Sequence, residues 1–269
     1  MAFPRMQDVA LAPLTVGRPK PPEMVAAAEA GGFRRLGISL WAPDEGLRGC
    51  CTDAGLFRRT VRALAQSGAE VNDVSVVVLT SNLDLDDVRR MLEVACDLDA
   101  GRVVVMNREP DGGRAAALLA AVGDLAGDMG MLVGLEFMPY SATPDLAAAA
   151  GLVRAVASPR VGVVLDVLHL FRSGGEPKDV SQKAVPLVLV QLCDAAGTRS
   201  ASVDLRKESL TDRRYPGQGD LPLRDVLSAV PSGVSMTLEA PVAEHAGLTP
   251  AERARRAGSA LRAFAAANI

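Results

Sequence analysis

No CxxC pair occurs among the four cysteines, Cys50, Cys51, Cys96 and Cys193. The adjacent Cys50 and Cys51 are badly placed for an ordinary disulfide, so all four read as free thiols of a reducing compartment. Cys193 lies inside an apolar run and is read as packing rather than as a nucleophile, because no base-bearing histidine is evident beside it. Lysine is missing from every strand-like run: Lys20, Lys178, Lys183 and Lys207 fall in loops or helices, which leaves no buried amine for Schiff-base chemistry. The first strand–helix junction lacks GxGxxG and no Walker-type loop appears, which argues against the common nucleotide folds. No stretch approaches about 18 apolar residues, and Met1–Leu14 lacks the cationic, apolar and small-residue segments of a secretion signal. Neither charge is in excess: a net charge of −3 and a pI near 5.5 give no general attraction for phosphate backbones or anionic lipid. A soluble cytoplasmic protein without nucleic-acid or membrane partners is the expectation.

Apolar residues make up 49% of the 269 positions, enough for a large core. They come in strand-length runs that alternate with longer amphipathic segments, the pattern of repeated βα units on a parallel sheet. The runs are Val9–Val16, Arg35–Leu40, Val74–Thr80, Arg102–Asn107, Leu132–Phe137, Val161–Asp166, Leu187–Leu192 and Val234–Glu239. Most are continuous and rich in Val and Leu, as strands buried on both faces require. Between them, Pro22 opens a first helix, and Leu56–Gln66, Leu85–Leu98 and Gly113–Met129 supply the next three. Thr143–Pro144 and Thr249–Pro250 read as N-caps followed by a first-turn proline, and Glu252 completes a capping box with Thr249. Shorter helices are expected around Pro177–Ala184 and Leu223–Val230. The longest irregular stretch is Ala195–Leu221, which would lie over the end of the seventh strand. With no linker or composition shift, residues 1–269 are predicted to form one domain, a single (β/α)8 TIM barrel of the α/β class. A doubly wound open sheet is the alternative.

Four strand ends carry oxygen ligands: Glu136 closes Leu-Val-Gly-Leu-Glu and Asp166 closes Val-Gly-Val-Val-Leu-Asp, while Gln191 and Glu239 hold similar places in the last two runs. A carboxylate at the end of an apolar strand is costly to bury unless it is paired, protonated or bound to a cation. Any one of them also reads as a helix cap or a rim salt bridge. Four in successive strands, converging on one rim of a barrel, read together as a divalent-metal site.

With these pieces the chain resembles the xylose-isomerase-like TIM barrels, a superfamily of sugar isomerases, epimerases and inosose dehydratases. The resemblance rests on Gly134-Leu135-Glu136, Leu165-Asp166-Val167-Leu168-His169, Val190-Gln191-Leu192-Cys193-Asp194, Arg213-Arg214-Tyr215-Pro216-Gly217-Gln218-Gly219-Asp220 and Leu238-Glu239-Ala240. It implies one metal ion held by Glu136, Asp166, Gln191 and Glu239, with Gln191 standing where the family has histidine. The resulting all-oxygen set favours Mn²⁺ or Mg²⁺ over Zn²⁺. It also implies that His169 of the D-x-x-H motif, and Arg213 more than Arg214 of the R-x-x-P-G-x-G motif, touch substrate oxygens. Trp41, the only tryptophan, falls just after the second strand and either walls the pocket or simply packs. His245, after the last strand, faces solvent or the pocket mouth.

The implied activity is that of a metal-dependent isomerase or epimerase on a sugar, keto-sugar or polyol-like carbonyl substrate, working through an enediolate with Glu136 and Glu239 as the acid/base pair. A dehydratase or other lyase on the same scaffold is the runner-up. The acidic loop Pro241-Val242-Ala243-Glu244 points to an unphosphorylated small-molecule substrate. The superfamily's DNA-cleaving branch needs many more histidines than the two present here, and a non-catalytic binding module is the remaining alternative. Assembly into a homo-oligomer is compatible with all of these.

Overall fold

A computed structural model describes residues 6–182, 186–197 and 204–267. Eight parallel strands close into a barrel: β1 (Val9–Leu11), β2 (Arg35–Ser39), β3 (Glu70–Leu79), β4 (Arg102–Asn107), β5 (Leu132–Glu136), β6 (Val161–Asp166), β7 (Leu187–Leu192) and β8 (Ser235–Leu238). Each pairs with its sequence neighbours, and β1 closes the ring against β8 through Val9↔Met236, Ala10↔Thr237 and Leu11↔Leu238. Its link to β2 is a single register pair, Leu11↔Leu36. The hydroxyl of Thr15 stitches the same seam, donating to the Leu238 carbonyl at 2.9 Å and accepting from the Ala240 amide at 2.9 Å.

Around the barrel run α1 (Pro21–Gly31), α2 (Ala54–Ser67), α3 (Leu85–Asp97), α4 (Gly112–Asp128), α5 (Leu146–Val156), α6 (Val167–Arg172), α7 (Pro177–Gln182), α8 (Leu205–Thr211), α9 (Leu223–Ala229) and α10 (Pro250–Ala266). None of the described helices is long and apolar enough to cross a membrane. The predicted capping box at Thr249 and Glu252 is present. A two-stranded antiparallel hairpin, Trp41–Ala42 with Gly46–Leu47, follows β2.

Side chains alternate along a strand, so one residue in two points into the barrel. Val104, Val164 and Leu189 do so from β4, β6 and β7 and touch one another as a buried apolar plug. Two residues further along the same faces stand Met106, Asp166 and Gln191, and on β5 and β8 the same alternation gives Glu136 and Glu239. Gly134, two residues before Glu136, carries no side chain because Val164 fills the space: a Cβ there would meet Val164 Cγ2 at 2.5 Å. Below the plug, Asn72, Asp73, Ser235 and Thr237 form a buried hydrogen-bonded network.

Four expectations are corrected. The run Val9–Val16 is not one strand, because Pro13 opens a 3-10 turn over Pro13–Val16. β3 begins at Glu70 rather than Val74, its start disguised by the polar Asn72 and Asp73 that face the lower network. Thr143 does not cap α5. Its hydroxyl accepts from Asn107 Nδ2 at 3.1 Å, and Asp145 takes the cap instead, accepting from the Ala148 amide at 2.8 Å. The stretch Ala195–Leu221 is not irregular throughout, for Asp204 caps α8 by accepting from the Arg206 and Lys207 amides. Of the helix expected over Pro177–Ala184, the part beyond Gln182 lies outside the described residues, as does Lys183.

Candidate active site

The C-terminal ends of the strands surround a cavity of about 210 Å³. Glu136, Gln191, Glu239, His169, Arg213 and Trp41 all line it. Asp166 lies just beneath, fully buried, and its position is over-determined. One carboxylate oxygen accepts from the His169 amide at 2.9 Å and so caps α6, while the other accepts from Arg213 Nη1 at 2.6 Å. A cap and a buried salt bridge therefore coexist at the strand end where a metal ligand is expected. Register fixes Gln191 directly opposite Asp166 on one side and Thr237 on the other.

Arg213 is itself almost wholly buried and richly engaged. Its Nε donates to the Ser209 carbonyl at 2.8 Å, Nη1 also reaches the Glu239 carbonyl at 3.2 Å, and Nη2 stands 3.5 Å from Glu239 Oε2. The guanidinium thus neutralises and positions Asp166 and Glu239. Arg214 turns away from the cavity, half exposed, with Nη1 donating to the Gln218 carbonyl at 3.4 Å. His245 stacks on Tyr215 with ring centroids 5.5 Å apart and does not line the cavity. Cys193 is buried with its thiol pushed up to about 12 by desolvation, which leaves no thiolate to act as a nucleophile near neutral pH.

Burial and the neighbouring Glu239 and Asp166 charges push Glu136 well above the usual carboxylate range. Glu239 rises to about 7, again chiefly through burial and against the pull of Arg213. Burial acts on Asp166 in the same sense, yet Arg213 and His169 outweigh it and hold that carboxyl below its ordinary value. The same loss of water drives His169 down to about 4 against the attraction of Asp166, so its ring is neutral near pH 7. Nε2 of that ring stands 3.7 Å from Glu136 Oε1, and Tyr140 meets its edge at a centroid distance of 5.6 Å.

The donor set fits a cation. Among the described residues, Gln191 Oε1 is the one buried side-chain oxygen or nitrogen with no hydrogen-bond partner. An acceptor left without a donor beside three carboxyls is costly unless a positive charge completes it. Ligand atoms of Glu136, Asp166 and His169 also lie within 4.8 Å of one another, which adds a ring nitrogen to the oxygens of Gln191 and Glu239.

Sequence reasoning missed several residues of the cavity wall. Tyr140, whose hydroxyl lies 2.7 Å from Ser209 Oγ, follows Glu136 by four residues, and Ser209 and Arg206 come from α8. Arg18 and Arg48 belong to loops that follow β1 and β2. Their place after barrel strands was the available signal, since those loops build the functional rim of such barrels.

Solved structures of the same architecture are numerous. The IolI protein with a bound zinc atom superposes with a TM-score of 0.76 at 17% identity, covering 97% of this chain and 99% of the other. A probable 3-DHS dehydratase, AsbF of Bacillus anthracis, gives 0.73 at 15% identity over 94% and 98%. D-allulose 3-epimerase of Methylomonas sp. in complex with D-allulose gives 0.67 at 15% identity over 98% and 99%. At these identities the likeness is one of fold. No curated protein matches the sequence. A family model described as the xylose isomerase-like TIM barrel matches residues 35–264, and the chain belongs to that family.

Proposed function

We propose that the protein is a divalent-metal-dependent isomerase or epimerase of a small sugar, keto-sugar or polyol-like carbonyl compound. The observation that carries this reading is the meeting of Glu136 and Glu239 in one small cavity with the unpartnered oxygen of Gln191. Glu136, Asp166, Gln191 and Glu239 would hold the ion, and their oxygen donors favour Mn²⁺ or Mg²⁺ over Zn²⁺. When bound, the ion supplies polarisation of the substrate carbonyl.

The chain's own residues divide the remaining work. Glu136 and Glu239 reach the cavity from strand ends separated by β6 and β7, so a substrate carbon between them has a carboxyl on each side. The ionised partner takes the proton from the carbon next to the carbonyl, and the protonated one returns a proton to the resulting enediolate. Without the ion, burial raises the proton affinity of both groups, and a bound cation would bring both back toward the ionised form. Neutral His169 is placed to donate a hydrogen bond to a substrate oxygen, and Arg213 holds Glu239 in position. Trp41 walls one side of the cavity.

Elimination is the second reading, because after the same proton abstraction a hydroxyl on the next carbon can leave as water with a proton from the other glutamate, and a probable dehydratase shares the fold. Incubation with ketoses, inososes and oxidised glycosides in D₂O tests both. Deuterium is expected at the carbon beside the carbonyl, with exchange reduced at least about a hundredfold in Glu136→Gln and Glu239→Gln. Undiminished exchange in both variants would remove these residues from the mechanism.

A further inference from the structure

Three arginines other than Arg213 line the cavity: Arg18 from the loop after β1, Arg48 from the end of the hairpin after β2, and Arg206 from α8. Among the described residues, none of their side chains has a hydrogen bond or ion pair. Neighbouring arginines behave differently. Arg172 holds Glu208 at 2.6 Å, Arg108 holds Asp44 at 2.8 Å and Arg213 holds Asp166 at 2.6 Å. Asp44, held by Arg108, also feels Arg206, and Glu136 and Glu239 feel Arg18, yet none of these carboxylates comes within ion-pair distance of the three arginines. One unpaired arginine on a surface is ordinary. Three converging from two loops and a helix on about 210 Å³ of space, in a chain whose net charge is −3, concentrate positive charge at the mouth. Arg18 also holds a left-handed backbone, φ 54°, a conformation that non-glycine residues seldom adopt unless their surroundings enforce it.

We propose that the substrate is anionic, a small keto-polyol bearing a carboxylate, and that Arg18, Arg48 and Arg206 receive that group while Glu136 and Glu239 act on its carbonyl end. The proposal rests on the isomerase reading of those two glutamates. Guanidinium groups match a carboxylate's two oxygens with paired N–H donors, which a neutral hydroxyl cannot exploit. Carboxylate is favoured over phosphate because the loop after β8 carries Glu244 where a phosphate-cradling turn would stand. The cavity also falls below the range of about 300–1,000 Å³ typical of drug-sized ligands.

Three ligands that share one skeleton separate the possibilities: D-fructose, D-fructuronate, which has a carboxylate in place of the terminal hydroxymethyl group, and D-fructose 6-phosphate. Binding is measured by calorimetry on the Mn²⁺-loaded protein, and deuterium exchange is followed in parallel. D-Fructuronate is expected to bind at least about tenfold more tightly than D-fructose. This ratio should fall toward one in Arg48→Gln and Arg206→Gln, and be partly kept in Arg206→Lys. Equal affinities for all three ligands, or a ratio unmoved by the arginine variants, would overturn the proposal even if exchange proceeds. Tightest binding of the 6-phosphate would overturn the choice of carboxylate. Arginine-dependent binding of D-fructuronate without exchange would support the anion site and sink the isomerase reading instead.

Discussion

Gln191 offers the sharpest test at the level of a single residue, because its carbonyl oxygen is buried among carboxyls with nothing donating to it. Replacing it with leucine removes a ligand oxygen and is expected to weaken Mn²⁺ binding by at least about tenfold. Gln191→His restores a donor with nitrogen character and should keep or strengthen binding while moving preference toward softer ions. Calorimetric titration with Mn²⁺, Mg²⁺ and Zn²⁺ decides the matter; affinities that ignore both substitutions would show that Gln191 does not touch the ion. At this scale the sequence was informative wherever a polar residue interrupted an apolar run. Glu136, Asp166, Gln191 and Glu239 could be found that way because strand periodicity gives each an address on the rim. Arg18, Arg48 and Arg206 could not, since arginines in loops and short surface helices are common and only the closed barrel brings these three to one mouth. Nor could the engagement of Arg213 with Asp166 be read from residues 47 positions apart.

α8 is the element whose attachment matters most for the site. Arg172, the last residue of α6, holds Glu208 through two contacts, 2.6 and 2.8 Å, and also donates to the Ala196 carbonyl. Ser209 then ties the same helix to Tyr140 and to Arg213. In Arg172→Met a largely buried Glu208 loses its partner, at a cost of up to about 3 kcal/mol. Hydrogen exchange is expected to quicken in residues 205–211 while the barrel strands keep their protection; unaltered exchange there would show that the pair does not fasten α8. Short helices of this kind escape detection because seven residues hold too few turns for periodicity to show. The same weakness explains Thr143: both it and Asp145 have cap chemistry, and the choice was made by Asn107, a residue on another strand. Long continuous apolar runs are less ambiguous, and β4, β6 and β7 have the ends predicted for them.

Across the whole molecule, the buried carboxyls couple stability to both pH and metal. Glu239 has a folded value of about 7 against an ordinary 4.5, so its contribution is complete below about 4.5 and is lost as pH rises through about 7. Glu136 acts in the same direction, whereas Asp166, held low by Arg213, stabilises above its unfolded value and gives way only as pH falls through its lower folded value. Chelated protein should therefore lose thermal stability between about pH 5 and 8, and Mn²⁺ should restore most at the upper end, where protons no longer compete for the carboxylates. A melting temperature that ignores chelator at every pH would refute the metal site. The eightfold alternation made the barrel legible from sequence, whereas the seam that closes it was obscured by Pro13 inside the first apolar run. That seam has a consequence for how the chain is made. β1 has three register partners on β8 and one on β2, so the first barrel strand to be made has its main mate at residues 236–238. During synthesis the growing sheet keeps two open edges, β1 and whichever strand emerged last, until residues 236–238 have left the ribosome.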